Sequence, residues 1–339
     1  MLQMISRHIG CLARKTDEGR VGPLPMRSDA GRQPRTPRGL LQAYALLFGK
    51  VSWCSGDMAK VVPFTNNREV IYGLLKRARR HHCTCSSQHD IDITDLLETL
   101  DQYRNRGERV SLNACLIRAT SLMLERYPRL NHHLFHGLVR KYEVDFEQIC
   151  CNVIMLRREN REAILLPVLI ENSNQLSVRQ IDEILDYHQR TPLEQLPQIQ
   201  GIQKMKRLPK VALKAFSYLA RSNHRFYRKF FGTYGYSSML LEGDDGVRLG
   251  DNGAVAQSAA NTATGFLPAS VVERPVVIDG EIVVRRMLTI TVLMDHYVVD
   301  GHDIFLATRY LTKLLREPVR LGLESAQSGA KPQSSQSLA

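Results

Sequence analysis

The chain has 339 residues, 43% of them hydrophobic and 24% charged, with a formal net charge of +12. That balance argues against a disordered polymer and against a membrane-spanning protein, and a core of this size needs no covalent staples. Seven cysteines (Cys11, Cys54, Cys83, Cys85, Cys115, Cys150, Cys151) form an odd, scattered set that suggests no pairing scheme and fits a reducing, cytoplasmic setting better than secretion.

Residues 1–57 are rich in Gly and Pro, and their first 38 positions hold eight Lys/Arg against Asp17, Glu18 and Asp29. They read as a basic, disordered tail. The apolar run from Leu40 to Cys54 is too short to span a bilayer and is interrupted by Lys50. Nor does a long apolar stretch follow the first basic residues, as a secretory signal requires. The folded unit is expected to begin at Met58 and run to residue 321, with a second disordered tail at 322–339.

Spacing predicts a helix over Asn66–Arg80, with Val70, Ile71, Leu74 and Leu75 on one side. His82–Ile93 alternates like a strand, and Thr94 is a candidate cap for a helix carrying Leu96, Leu97 and Leu100. Ser111–Arg126 is the clearest helix: Ser111 caps it, Leu112, Cys115, Leu116, Ala119, Leu122 and Met123 form its stripe, and Pro128 stops it. Strands are expected at Leu138–Phe146, Gln148–Leu156 and Ala163–Ile170. Ser177 and Gln180 form a capping box for the helix that follows, through Tyr187. Lys204–Phe231 reads as an amphipathic helix or helix pair broken at Pro209. A short strand near Tyr234–Met239 and a Gly/Asp loop at Glu242–Asn252 come next. Strands at Arg274–Ile278, Glu281–Arg286 and Thr289–Asp295 lead into a closing helix, His302–Arg316, whose Ile304, Phe305, Ala307, Leu311 and Leu314–Leu315 are expected to face inward. Helices on one side of a mixed sheet make an α+β sandwich the natural packing.

The sharpest local feature is His296-Tyr-Val-Val-Asp300-Gly301. It lies where an apolar strand ends and a helix begins, and Gly301 suits a sharp backbone turn. Alone, His-x-x-x-Asp-Gly is a weak pattern. With Val276–Met287 and Thr289–Met294 before it, however, it resembles the acyl-transfer cores of the dihydrolipoyl acyltransferases, the catalytic domains of 2-oxo acid dehydrogenase complexes, which belong to the chloramphenicol acetyltransferase-like superfamily. The resemblance extends backward in order. Pro63–Ile71 is similar to the family's opening Arg-x-x-Ile helix, and Val110–Ala119 with Tyr127–Asn131 to its second helix. Ala163–Asn172 with Leu176–Leu185 is similar to its middle strand and helix.

The resemblance implies a chloramphenicol acetyltransferase-like sandwich, coenzyme A or acyl-CoA as substrate, and a homotrimer with its sites between subunits. His296 matches the family's general base, a role that histidine's proton affinity suits. Ser237, in Gly232-Thr-Tyr-Gly-Tyr-Ser237-Ser238, matches the serine that donates to the oxyanion, with Ser238 as the fallback. Asp300 matches an aspartate that pairs with an arginine near the domain start, here Arg68. Three departures stand out: Tyr297 replaces the arginine common after the histidine, the residues after Ser238 take another course, and the basic insert is longer than expected. With no lipoyl-like domain ahead of the core, the acceptor is expected to be a separate lipoylated or other acyl-accepting protein. The alternative is a catalytically degenerate member acting as a scaffold or binding subunit.

From Gln195 to Leu241 there are nine Lys/Arg and no Asp or Glu. Arg225, Arg228 and Lys229 are candidates for contact with coenzyme A phosphates or, alternatively, with an anionic membrane surface. No base-reading motif suggests nucleic acid. His81-His-Cys83-Thr-Cys85 has a metal-like composition but lacks zinc-motif spacing, and no metal is expected.

Overall fold

The structure is a computed structural model describing residues 79–137, 140–159, 162–206, 222–237 and 262–324, plus isolated positions at 72, 76, 209, 212, 215, 218 and 219. Expectations for the first tail, Arg68, Ser238, the loop 242–252 and residues 325–339 lie outside the described residues, as does most of the opening helix, of which Tyr72, Lys76, Arg79 and Arg80 are described and helical. In chain order the elements are β1 (Thr84–Asp92), α1 (Thr94–Asn105), α2 (Leu112–Arg126), β2 (His132–His136), β3 (Lys141–Asp145), β4 (Cys151–Glu159) and β5 (Glu162–Ile170). Then follow α3 (Val178–Arg190), α4 (Pro197–Lys206), α5 (His224–Phe231), β6 (Tyr234–Ser237), β7 (Thr264–Ile278), β8 (Glu281–Asp295) and α6 (Gly301–Arg316).

Local chemistry sets the helix starts. Ser111 Oγ accepts from the Ala114 N–H at 3.2 Å, the expected cap of α2. The Ser111 backbone N–H also donates to Asp182 on α3 at 3.1 Å, and its hydroxyl donates to the same carboxylate, so one residue both starts α2 and docks it. The capping box of α3 forms as expected between Ser177 and Gln180. Thr94 behaves differently: it is the first residue of α1, and the Asp92 carboxylate accepts from its N–H at 3.0 Å and its hydroxyl at 2.7 Å. The Asp92 carboxylate thus takes up the first free N–H of the helix, and Thr94 is its donor rather than its cap.

Six strands form one mixed sheet in the order β1-β8-β7-β6-β4-β5. The β4/β6 and β6/β7 pairs are parallel and the rest antiparallel. The strand expected over Leu138–Phe146 is instead the second half of a separate hairpin, β2–β3. Its first half escaped notice because His133 is one of the two side chains β2 buries, which hides the apolar alternation. The strands expected at Glu281–Arg286 and Thr289–Asp295 are one strand, and its partner β7 begins at Thr264, well before Arg274. The register of that pair shifts between Pro268 and Val271, where a bulge accommodates the proline.

One core joins α1, α2, α3 and α6 to the sheet, through Leu96, Leu116, Met123, Ile181 and Leu311 against Val153, Val168, Tyr234 and Ile290. It continues past residue 321 to Leu323, which is buried. Phe305, expected inward, is exposed with the Arg309 guanidinium over its ring. A second cluster of Phe135, Phe146 and Tyr227 ties the β2–β3 hairpin to α5.

Candidate active site

His296 is the first residue after β8, whose last eight side chains are all buried. Beyond that strand the chain winds around Asp295. Its carbonyl accepts from the N–H groups of Val298 and Val299, both at 3.0 Å, and the His296 N–H donates to the Cys83 carbonyl at 2.8 Å. The imidazole is exposed, and its Nδ1–H donates to the Val299 carbonyl at 3.0 Å. A carbonyl accepts only from a protonated nitrogen, so this bond places a proton on Nδ1 and leaves Nε2 as the ring nitrogen not engaged by Val299.

Asp295 is the residue the sequence reading missed. Its buried carboxylate accepts from His82 Nδ1–H at 2.6 Å, from the Cys83 N–H at 3.0 Å and from the Tyr297 N–H at 3.2 Å. Burial pushes this carboxyl up, but the bonds and charge of His82, aided by the two backbone donors, outweigh burial and hold it below the ordinary aspartate value. His133 packs against His82 with ring centroids 5.4 Å apart and stacks on Tyr227 at 4.5 Å. Burial first, then the neighbouring His82, pushes the His133 imidazole down to about 3. It is therefore neutral at neutral pH. The adjacency of Asp295 to His296 was a signal within reach; nothing local pointed to His82, which is 213 residues away.

Ser237 ends β6, a strand set in place by Gly232. That glycine has φ 67°, and a Cβ there would lie 2.7 Å from the Cys150 carbonyl, so the position admits no side chain. Thr233 and Tyr234 then donate their N–H groups to that carbonyl, fixing β6 beside β4. Within β6, Tyr234 hydroxyl meets Ser121 at 2.8 Å and Tyr236 hydroxyl donates to Asn113 at 2.8 Å, both on α2. Alternation turns Ser237 to the opposite face. Its Oγ is buried with no hydrogen-bond partner among the described residues, although a buried hydroxyl is normally satisfied.

One chain does not bring Ser237 and His296 together. Tyr236 pairs with Phe266 on β7, and Leu267 pairs with Thr291 on β8. Strand spacing and rise then put the serine and histidine on the order of 15–20 Å apart. Asp300 sits at the N-cap of α6 without a side-chain cap bond, exposed and unpaired among the described residues; Arg68 lies outside them. Gly301, expected to make a sharp turn, begins α6 without positive φ, and a Cβ there would meet nothing within 4 Å. On α5, Arg225 and Lys229 are exposed and Arg228 is half-buried. Tyr227 and Phe231 make the packing face, and Phe226 and Phe230 are exposed. Among the described residues no group of three His, Cys, Asp or Glu side chains is arranged to hold a metal, and no helix is long and apolar enough to cross a membrane.

A mixed sheet backed by helices, with a histidine at the strand-to-helix junction, defines the chloramphenicol acetyltransferase-like α+β class expected from the sequence. The family described as 2-oxoacid dehydrogenases acyltransferase (catalytic domain) matches residues 57–196 and 267–323, more than half of the chain, and the chain belongs to it. It is 51% identical over 53 residues to the lipoamide acyltransferase component of the branched-chain alpha-keto acid dehydrogenase complex of Pseudomonas putida. That match spans 16% of this chain and 12% of the relative. The Pseudomonas aeruginosa counterpart is 44% identical over 54 residues, 16% of this chain and 13% of the relative. Among solved structures, dihydrolipoamide acetyltransferase of Azotobacter vinelandii is similar with a TM-score of 0.56 at 17% identity, covering 81% of this chain and 98% of that one. A probable dihydrolipoamide acetyltransferase of Listeria monocytogenes gives 0.55 at 17% identity, covering 77% and 95%. The cubic core of a pyruvate dehydrogenase multienzyme complex gives 0.53, also at 17%, covering 81% and 98%. These likenesses establish the fold.

Proposed function

We propose that this chain transfers acyl groups between coenzyme A and a second thiol, with His296 as general base and Ser237 as oxyanion donor. The observation that carries the reading is the His296 Nδ1–H bond to Val299, which leaves Nε2 free to take a thiol proton. The thiolate attacks the thioester carbonyl, and the tetrahedral oxyanion accepts a hydrogen bond from Ser237 Oγ. Collapse expels the second thiolate, which recovers the proton from the imidazolium. The unpartnered Ser237 hydroxyl supports the donor role, since a pre-aimed donor has its partner only during the reaction. The Azotobacter enzyme was studied for catalytic roles of a serine, a histidine and an asparagine four residues past that histidine, the spacing of Asp300 from His296. Asp300 accordingly belongs to the proposed site, with Arg68 as its structural partner.

The separation of Ser237 from His296 in one chain supports an active site shared between subunits of a homotrimer. So does the outer β7–β8 hairpin, where Val277 is 69% and Ile282 75% exposed on a stretch that β1 does not cover. The acceptor in this reading is a separate lipoylated or other acyl-accepting protein, and the five described free cysteines are in keeping with a cytoplasmic location. Arg225, Arg228 and Lys229 would meet coenzyme A phosphates; the membrane alternative for that helix finds no support in the relatives.

The test is thiol release and acyl transfer across a panel of acyl-CoA substrates. His296→Ala should lower turnover by roughly two to four decades while the fold melts as before. Equal rates in the two proteins would remove His296 from the chemistry and leave a scaffold role as the better reading.

A further inference from the structure

We infer that His82 is a positioning residue for the catalytic loop: its Nδ1–H holds the Asp295 carboxylate, and Asp295 in turn sets where the His296 imidazole stands. This rests on the proposed role of His296 and deepens it. Four contacts converge on the loop. His82 donates to one Asp295 oxygen at 2.6 Å, while the other accepts from the Cys83 N–H at 3.0 Å and the Tyr297 N–H at 3.2 Å. The Cys83 carbonyl accepts from the His296 N–H at 2.8 Å. The residues that follow Asp295 and those that lead into β1 are thus stitched together around a single carboxylate.

That carboxylate is 2% exposed and His82 is 11% exposed, so water does not readily replace the imidazole if it is lost. The two backbone donors address Oδ1, and among the described residues only His82 addresses Oδ2. Removing His82 therefore leaves half of a buried carboxylate unsatisfied, and the cheapest relief is for Asp295 to rotate toward solvent. Rotation releases the Tyr297 N–H and loosens the turn that presents Val299 to His296 Nδ1. The rings behind His82 restrain it: His133 lies against it and is itself clamped by Tyr227. The catalytic ring is thereby held by its carbonyl partner and by a hydrogen-bonded layer one residue removed, the arrangement that keeps a base within reach of its proton.

The experiment compares His82→Asn, His82→Gln and His82→Ala in the full chain, beside wild type and His296→Ala. Asparagine can put an N–H close to where Nδ1 stands, whereas glutamine displaces it by one bond. Expected are a kcat loss of roughly ten- to a hundred-fold for Ala and Gln, most of it recovered in Asn, with the KM for acyl-CoA unchanged. Amide exchange across residues 295–299 should be faster in Ala and Gln than in wild type and Asn. Wild-type kcat in all three variants, a change confined to KM, or equal losses in Asn and Gln would overturn the inference. If wild type itself transfers no acyl group, the proposed function fails, and amide exchange alone decides the positioning role: indistinguishable exchange in Asn, Gln and wild type would end it.

Discussion

Burial gives His133 a measurable signature. Its ring is 2% exposed, and its imidazole is held down to about 3, against about 6.5 for an unfolded chain. Above the unfolded value both states are neutral and the group has no effect. As pH falls below that value the unfolded chain binds a proton that the folded chain refuses until about 3, so stability declines by up to about 1.4 kcal/mol per pH unit. The lowered carboxyls of Asp92 and Asp295 act in a different window: their contribution is complete above about 3.9 and lost as pH falls through their lower folded values. Urea melts between pH 7 and 4.5 should therefore isolate the histidines. His133→Phe, sized for the pocket of Phe135 and Tyr227, should flatten the slope without abolishing it, because burial also holds His89 low. Parallel curves for the two proteins would show that His133 is protonated in the fold.

Helix caps separate two kinds of start. Ser177 caps an exposed turn with Gln180 and touches little else. Ser111 caps α2 and is also bonded to Asp182 through both its N–H and its hydroxyl. Ser177→Ala should cost about 0.5–1 kcal/mol and Ser111→Ala about 1–2 kcal/mol, read as shifts in urea midpoint with unchanged slope. The reverse ranking would mean that the Asp182 contact contributes nothing. Both caps were legible because their partners lie three residues along the chain. Strand β2 and the first half of β7 were not, because a buried histidine and a proline at a bulge each broke the pattern that marks a strand.

At the scale of the molecule, the distance between Ser237 and His296 makes assembly part of the proposed chemistry. If each site takes its histidine from one subunit and its serine from the neighbour, mixing His296→Ala with Ser237→Ala before assembly should regenerate some intact sites. Two variants inactive alone should then recover a fraction of wild-type turnover, and light scattering should report three chains per particle. A monomer, or no recovery in verified mixed particles, would place the whole site in one chain. In that proposal, closed head-to-tail symmetry would let a serine on the far face of β6 meet a neighbour's strand end.

The sequence by itself determined the parts whose causes are local. The α2 and α3 stripes and caps, the apolar run of β8 and the His296–Gly301 junction all rest on residues within about four positions of one another. Those signals were enough to identify the acyltransferase class and to single out His296 as the candidate base. Only the tertiary structure decided which ring nitrogen of His296 meets the Val299 carbonyl, that Ser237 turns away from the helical layer with a hydroxyl unpartnered among the described residues, and that His82 meets Asp295 across 213 residues. Each follows from which strands lie side by side. Pairing β1 with β8 is a choice among distant partners that burial and register settle together, and it leaves no periodic trace in either segment.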